Sequence, residues 1–181
     1  MKRSAKSGIF VIAPIEGPVG ARIAELQRTH DPRILKLGAP HVTIVGSSGV
    51  GPIDAKTPIT ELEERLGPIA QGTAPIALHF GRPTRFMQTE IVVLPLDPHG
   101  PLRALHERIK MSGLHAAPPR FFFTPHVTLS LYRELPKESL ADLLAERFDD
   151  TVIVDRIEVH LTRDTGESRR LLTLALGVVS S

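Results

Sequence analysis

Pro40-His41-Val42-Thr43-Ile44 and Pro125-His126-Val127-Thr128-Leu129 are nearly the same phrase written twice, 85 residues apart, with four of five positions identical. Each reads as a strand entered from a proline. Side chains alternate along a strand, so His41 shares a face with Thr43 and His126 with Thr128, while Val42, Ile44, Val127 and Leu129 point to the other side, into a core.

The repeat extends in both directions. Val11-Ile12-Ala13-Pro14-Ile15-Glu16 lines up with Val92-Val93-Leu94-Pro95-Leu96-Asp97 at an offset of 81, and Ile76 to Arg82 lines up with Ile157 to Arg163 at the same offset. The offset rises to 85 between these matches, which requires a longer loop before the second His-Val-Thr strand and a shorter segment after it. Stretches of helical period fill the gaps. Val19, Ile23 and Leu26 recur on one face, as do Leu62, Leu66 and Ile69, with Thr57-Pro58 as N-cap and first turn. Leu102, Leu105 and Ile109 form a third stripe, and Leu140, Leu143, Leu144 and Phe148 a fourth. Each half therefore reads strand, helix, His-Val-Thr strand, helix, strand. A final strand from Leu171 to Val179 follows the turn-like Asp164-Thr165-Gly166-Glu167. The expected fold is α+β: a bilobal, pseudo-twofold duplication of this unit, with antiparallel sheets lining a central cleft. Residues 1–181 are expected to form one domain, with lobes at about 9–82 and 90–179.

Composition removes several kinds of chemistry. The chain has no cysteine, which excludes thiolate nucleophiles, disulfides and cysteine-ligated metal sites. With no Trp, one Tyr and 4% aromatic residues, an extended base-stacking platform is not expected. The formal charge of +2 permits a phosphate-bearing ligand without demanding one. Lys2, Arg3 and Lys6 followed by Ile9 to Ile15 imitate the start of a signal peptide, but the apolar run is short, holds Pro14 and meets Glu16. The expectation is a soluble, cytoplasmic monomer without a membrane span.

If a twofold axis relates the lobes, His41 and His126 face each other across the cleft. In-line displacement at a phosphodiester needs a base for the attacking oxygen and an acid for the departing one. Histidine, with an ordinary pKa of about 6.5, serves as either near neutral pH. The hydroxyls of Thr43 and Thr128 can donate to the non-bridging phosphate oxygens. Zinc would want three or four ligands, and no carboxylate lies near either motif in sequence, so no metal and no cofactor are expected.

These motifs and their spacing resemble the two-histidine (2H) phosphoesterases, the family that includes bacterial 2′-5′ RNA ligases and cyclic phosphodiesterases. The resemblance runs through the repeat over nearly the whole chain, and its specificity resides in Pro40 to Ile44 and Pro125 to Leu129. It implies hydrolysis of 2′,3′-cyclic phosphates, on RNA ends or nucleotides, to 2′-phosphates, or reversible 2′-5′ joining of RNA ends. His41, Thr43, His126 and Thr128 would be the catalytic positions. The alternative on the same fold is a non-catalytic RNA or nucleotide binder. The RNA ligase branch tends to carry arginine five residues after its second histidine, where this chain has Leu131.

Strand parity places Ser130 and Tyr132 in the cleft and turns Arg133 away unless the strand ends or bulges. Further candidates for substrate contact are Arg82, Arg85 and Phe86 after the third strand, and Arg120 with Phe121 to Phe123 before the second motif, since arginine beside an aromatic can pair phosphate and stack a base. Gly46-Ser47-Ser48-Gly49 reads as a turn whose amides could also approach a phosphate. His160-Leu161-Thr162 is a third match to the pattern. Lacking the proline and aligning with His79-Phe80-Gly81, it reads as coincidence. His30, His99, His106 and His115 are expected at the surface.

Overall fold

The computed structural model describes residues 7–86, 89–163 and 166–177. The chain folds as β1 (Gly8–Pro14), α1 (Gly17–His30), a 3₁₀ helix (Pro32–Leu37), β2 (His41–Val45), α2 (Ile59–Gln71), β3 (Ile76–Leu78), β4 (Thr84–Arg85), β5 (Val92–Pro95), α3 (Pro101–Lys110), β6 (His126–Ser130), α4 (Lys137–Ala145), β7 (Val152–Val154), β8 (Arg156–Thr162) and β9 (Ser168–Ala175). The helices sit where the apolar stripes place them, except that α4 ends at Ala145 and leaves Phe148, which is buried, beyond it. Pro18 and Pro101 occupy first turns, where a missing N–H costs nothing. The second helix begins at Ile59, so Pro58 is its cap residue rather than its first turn. The last strand ends at Ala175, and Val178 and Val179 lie outside the described residues.

Seven strands form one antiparallel sheet in the order β4-β5-β6-β2-β1-β8-β9, and β3 pairs with β7 in a second, small sheet. The two His-Val-Thr strands are thus neighbours at the centre, joined at Val42 opposite Val127. Around them the duplication holds in detail. Pro14 pairs His41 as Pro95 pairs His126, and the register slips by one residue between Val11 and Ile12 and again between Val92 and Val93. Ile44 and Leu129 are the extra residues of two equivalent β-bulges.

One pairing departs from the sequence alignment. Ile76–Leu78 pairs with Val152–Val154, so those two strands are the equivalent third strands. Arg156–Thr162, which the sequence repeat matches to Ile76 to Arg82, instead adds to the far side of β1, and the short Thr84–Arg85 strand adds to β5. The closing strands of each half therefore extend the sheet built on the other half's first strand. Helices interleave in the same manner: α1 packs on β6 and α3 on β2. One continuous apolar cluster results, including Val11 and Val42 from the first half and Leu94, Leu105 and Val127 from the second. No helix among the described residues is long and apolar enough to cross a membrane.

Candidate active site

One face of the large sheet carries alternating apolar residues into the core; the other carries His41, Thr43, His126 and Thr128 into a cavity of about 330 Å³. Extending the Val42–Val127 register by one residue on either side sets His41 opposite Thr128 and Thr43 opposite His126. The two histidines are then diagonal neighbours, with Cα positions about 7–8 Å apart, and the threonines occupy the other diagonal. A tetrahedral group seated over the quartet meets one imidazole and one hydroxyl from each half.

The imidazoles are held alike. His41 Nδ1 lies 2.7 Å from the carbonyl of Ala39, and His126 Nδ1 lies 2.7 Å from the carbonyl of Thr124, each two residues upstream. A carbonyl only accepts, so Nδ1 carries the proton and Nε2 keeps its lone pair for the cleft. Burial lowers both imidazoles from their ordinary pKa. For His41 the charges of His160 and His126 lower it further, and the Ala39 bond and Glu158 offset part of the effect. On the other side, the Phe86 ring lies 5.0 Å from the His126 ring, tilted by 34°.

The far side of the cavity overturns an expectation. Because β8 pairs with β1, His160 stands beside Phe10, and His160, Thr162 and Ser168 line the same cavity as the histidine pair. His160 Nε2 donates to Glu158 at 2.9 Å, and its Nδ1 meets the Ser168 hydroxyl at 3.1 Å. Burial alone would raise the Glu158 carboxyl, but the bond from His160 and the charges of His160, Arg170 and Arg156 hold it below its usual value. The pattern His160-Leu161-Thr162 is the available signal, and aligning this strand with the wrong partner masks it.

Ser130 and Tyr132 do not face the cavity. The bulge at Leu129 uses up one position of alternation, so Leu129 and Ser130 are both buried and Leu131 lines the cleft instead. Ser130 Oγ accepts the Tyr132 amide, and the Tyr132 ring lies under the Arg33 guanidinium at 3.5 Å. Arg133 is exposed and its carbonyl accepts the Glu90 amide; Arg82, Arg85 and Arg120 are exposed and line no part of the cavity. Phe123 is buried, while Phe121 and Phe122 are exposed. The amides of Gly46 and Gly49 are taken by the carbonyls of Val50 and Phe121, while Ser47 between them lines the cavity. His106, expected at the surface, is fully buried: Nδ1 donates to the Ile44 carbonyl at 2.7 Å and the ring stacks on Phe123. Among the described residues no group of three or more His, Asp or Glu side chains could hold a metal ion.

Known proteins carry the same plan. The E. coli protein LigT in its complex with NADP+ superposes with a TM-score of 0.58 at 18% identity, covering 96% of this chain and 99% of LigT. TT0787 of Thermus thermophilus gives 0.59 at 16% identity, covering 95% and 99%. In sequence, "Putative phosphoesterase GK0864" of Geobacillus kaustophilus is 32% identical over 135 residues, 70% of this chain and 72% of that protein. The family model of the 2′-5′ RNA ligase superfamily matches residues 15–166, a span containing both His-Val-Thr strands and the cleft between them. This chain is a member of that superfamily, the two-histidine phosphoesterases.

Proposed function

We propose that the protein hydrolyses 2′,3′-cyclic phosphates, on RNA ends or nucleotides, to 2′-phosphates by two-histidine acid and base catalysis, and that an RNA 5′-hydroxyl attacking in place of water gives reversible 2′-5′ joining. The observation that carries this is the matched pair of Nδ1 tethers, which present two Nε2 atoms to one cavity between two threonine hydroxyls. One neutral imidazole takes a proton from water as the water oxygen bonds to phosphorus. The bond from phosphorus to the ribose 3′ oxygen breaks, and the other imidazole, protonated, gives its proton to that oxygen. The two rings end with exchanged protonation, and the 2′-phosphate leaves. Thr43 and Thr128 hydrogen-bond the non-bridging oxygens as charge gathers there. LigT, whose fold this chain shares, has been seen with 3′-AMP and with phosphate.

The test is hydrolysis of a 2′,3′-cyclic nucleotide, without added metal, by wild type, His41→Ala and His126→Ala. Each substitution is expected to lower kcat by about 10²–10⁴-fold. Activity that survives both, or that depends on added metal, overturns the assignment.

A further inference from the structure

The cleft does not end at the histidines. Ile34, Leu37 and Leu131 line it and also line a second, more open groove of about 740 Å³, whose other walls include Arg33 and Lys36. The 3₁₀ helix Pro32–Leu37 is the ridge between them. Side chains three apart on such a helix eclipse, so Arg33 and Lys36 stand together on the groove side.

Arg33 is built in rather than merely solvated. Asp31 is fully buried; one of its carboxylate oxygens accepts the Leu131 amide at 2.8 Å and the other accepts Arg33 Nε at 3.0 Å. The guanidinium then lies flat on Tyr132 at 3.5 Å. Asp31 takes only Nε, so among the described residues both terminal amino groups of the fork, on a side chain 56% exposed, are presented for a ligand. A stacked, fixed fork of this kind matches phosphate in two bonds, and Lys36 adds a point charge beside it. Glu167 also lines the groove.

We infer that this groove binds a phosphodiester of an RNA strand whose end sits at the histidines, so the preferred substrate is an oligonucleotide rather than a cyclic mononucleotide. This rests on the phosphoesterase reading of the cleft. A mononucleotide has one phosphate, and the histidine pair holds it; only a strand with further nucleotides has a second phosphate for Arg33 and Lys36.

The experiment compares kcat/KM of wild type, Lys36→Ala and Arg33→Gln/Lys36→Ala on a cyclic-phosphate-ended tetranucleotide and on a 2′,3′-cyclic mononucleotide. The double variant is expected to lose about tenfold or more on the tetranucleotide, with the mononucleotide unchanged within twofold. Equal loss on both substrates, or no loss on either, overturns the inference. If wild type hydrolyses neither, the phosphoesterase reading fails, and binding decides the groove separately. Fluorescence anisotropy with a 2′-phosphate-ended tetranucleotide should then show a slope of log Kd against log salt that is smaller by about 0.7 in Lys36→Ala. An unchanged slope rejects the site. Because Arg33 supports a buried aspartate, thermal melting of both variants serves as the folding control, and Lys36→Ala, which leaves that pair intact, carries the comparison where the double variant melts early.

Discussion

Acidification should unfold this protein through its histidines, and His106 isolates the effect. Its ring is fully buried on α3, Nδ1 donates to the Ile44 carbonyl, and Nε2 has no hydrogen-bond partner among the described residues. Protonation would bury a charged N–H with no acceptor, and burial accordingly lowers this imidazole, as it does those of His41 and His126. The sign follows. Between the unfolded value near 6.5 and each lowered folded value, the unfolded chain binds a proton that the native protein refuses, so stability falls as pH falls through that window. Each such histidine contributes up to about 1.4 kcal/mol per pH unit, and three acting together up to about 4 kcal/mol per pH unit. His106→Phe keeps a ring against Phe123 and removes one proton site. It costs roughly 1 kcal/mol for the lost bond to Ile44, but the slope of stability against pH below 6.5 should flatten. Urea denaturation at half-unit pH steps measures that slope. An unchanged slope in the variant would refute the reasoning, whatever the variant's stability at pH 7.

Other expectations follow from the cleft. Because burial lowers both His41 and His126, the proposed acid and base pair should give a kcat/KM that peaks on the acid side of 6.5, falling at higher pH as the acid loses its proton and at lower pH as the base gains one; a pH profile on a cyclic mononucleotide checks this. Thr43→Val and Thr128→Val should each lower kcat by about 10–100-fold with little change in melting temperature, since each hydroxyl is asked for one transition-state bond. Asp31→Ala, which strands the Leu131 amide, should cost about 2–4 kcal/mol in urea denaturation, and Asp31→Asn, which keeps an acceptor, about half as much. Equal costs would mean that the Leu131 bond contributes nothing. Ser130→Ala, behind the bulge, should leave kcat within about twofold, as a buried group outside the cavity.

Local pattern alone determined a good deal here. The doubled His-Val-Thr phrase, its alternation and the apolar stripes around it were sufficient for the helices, for the two central strands and for the face that carries His41, Thr43, His126 and Thr128. Each of those depends on spacing within a few residues, and side-chain direction follows spacing. What remained open depends on which distant segments pair. Whether β8 joins β1 or stands where β3 does is a choice between two long-range ladders, and it decides that His160, Thr162 and Ser168 enter the cavity. The crossing of α3 onto β2 likewise buries His106, a residue expected at the surface from its helix alone. The bulge at Leu129 exchanges Ser130 for Leu131 at the cleft, because one added residue inverts every position after it. Periodicity is written in the chain, whereas pairing and register are settled by burial of the whole sheet.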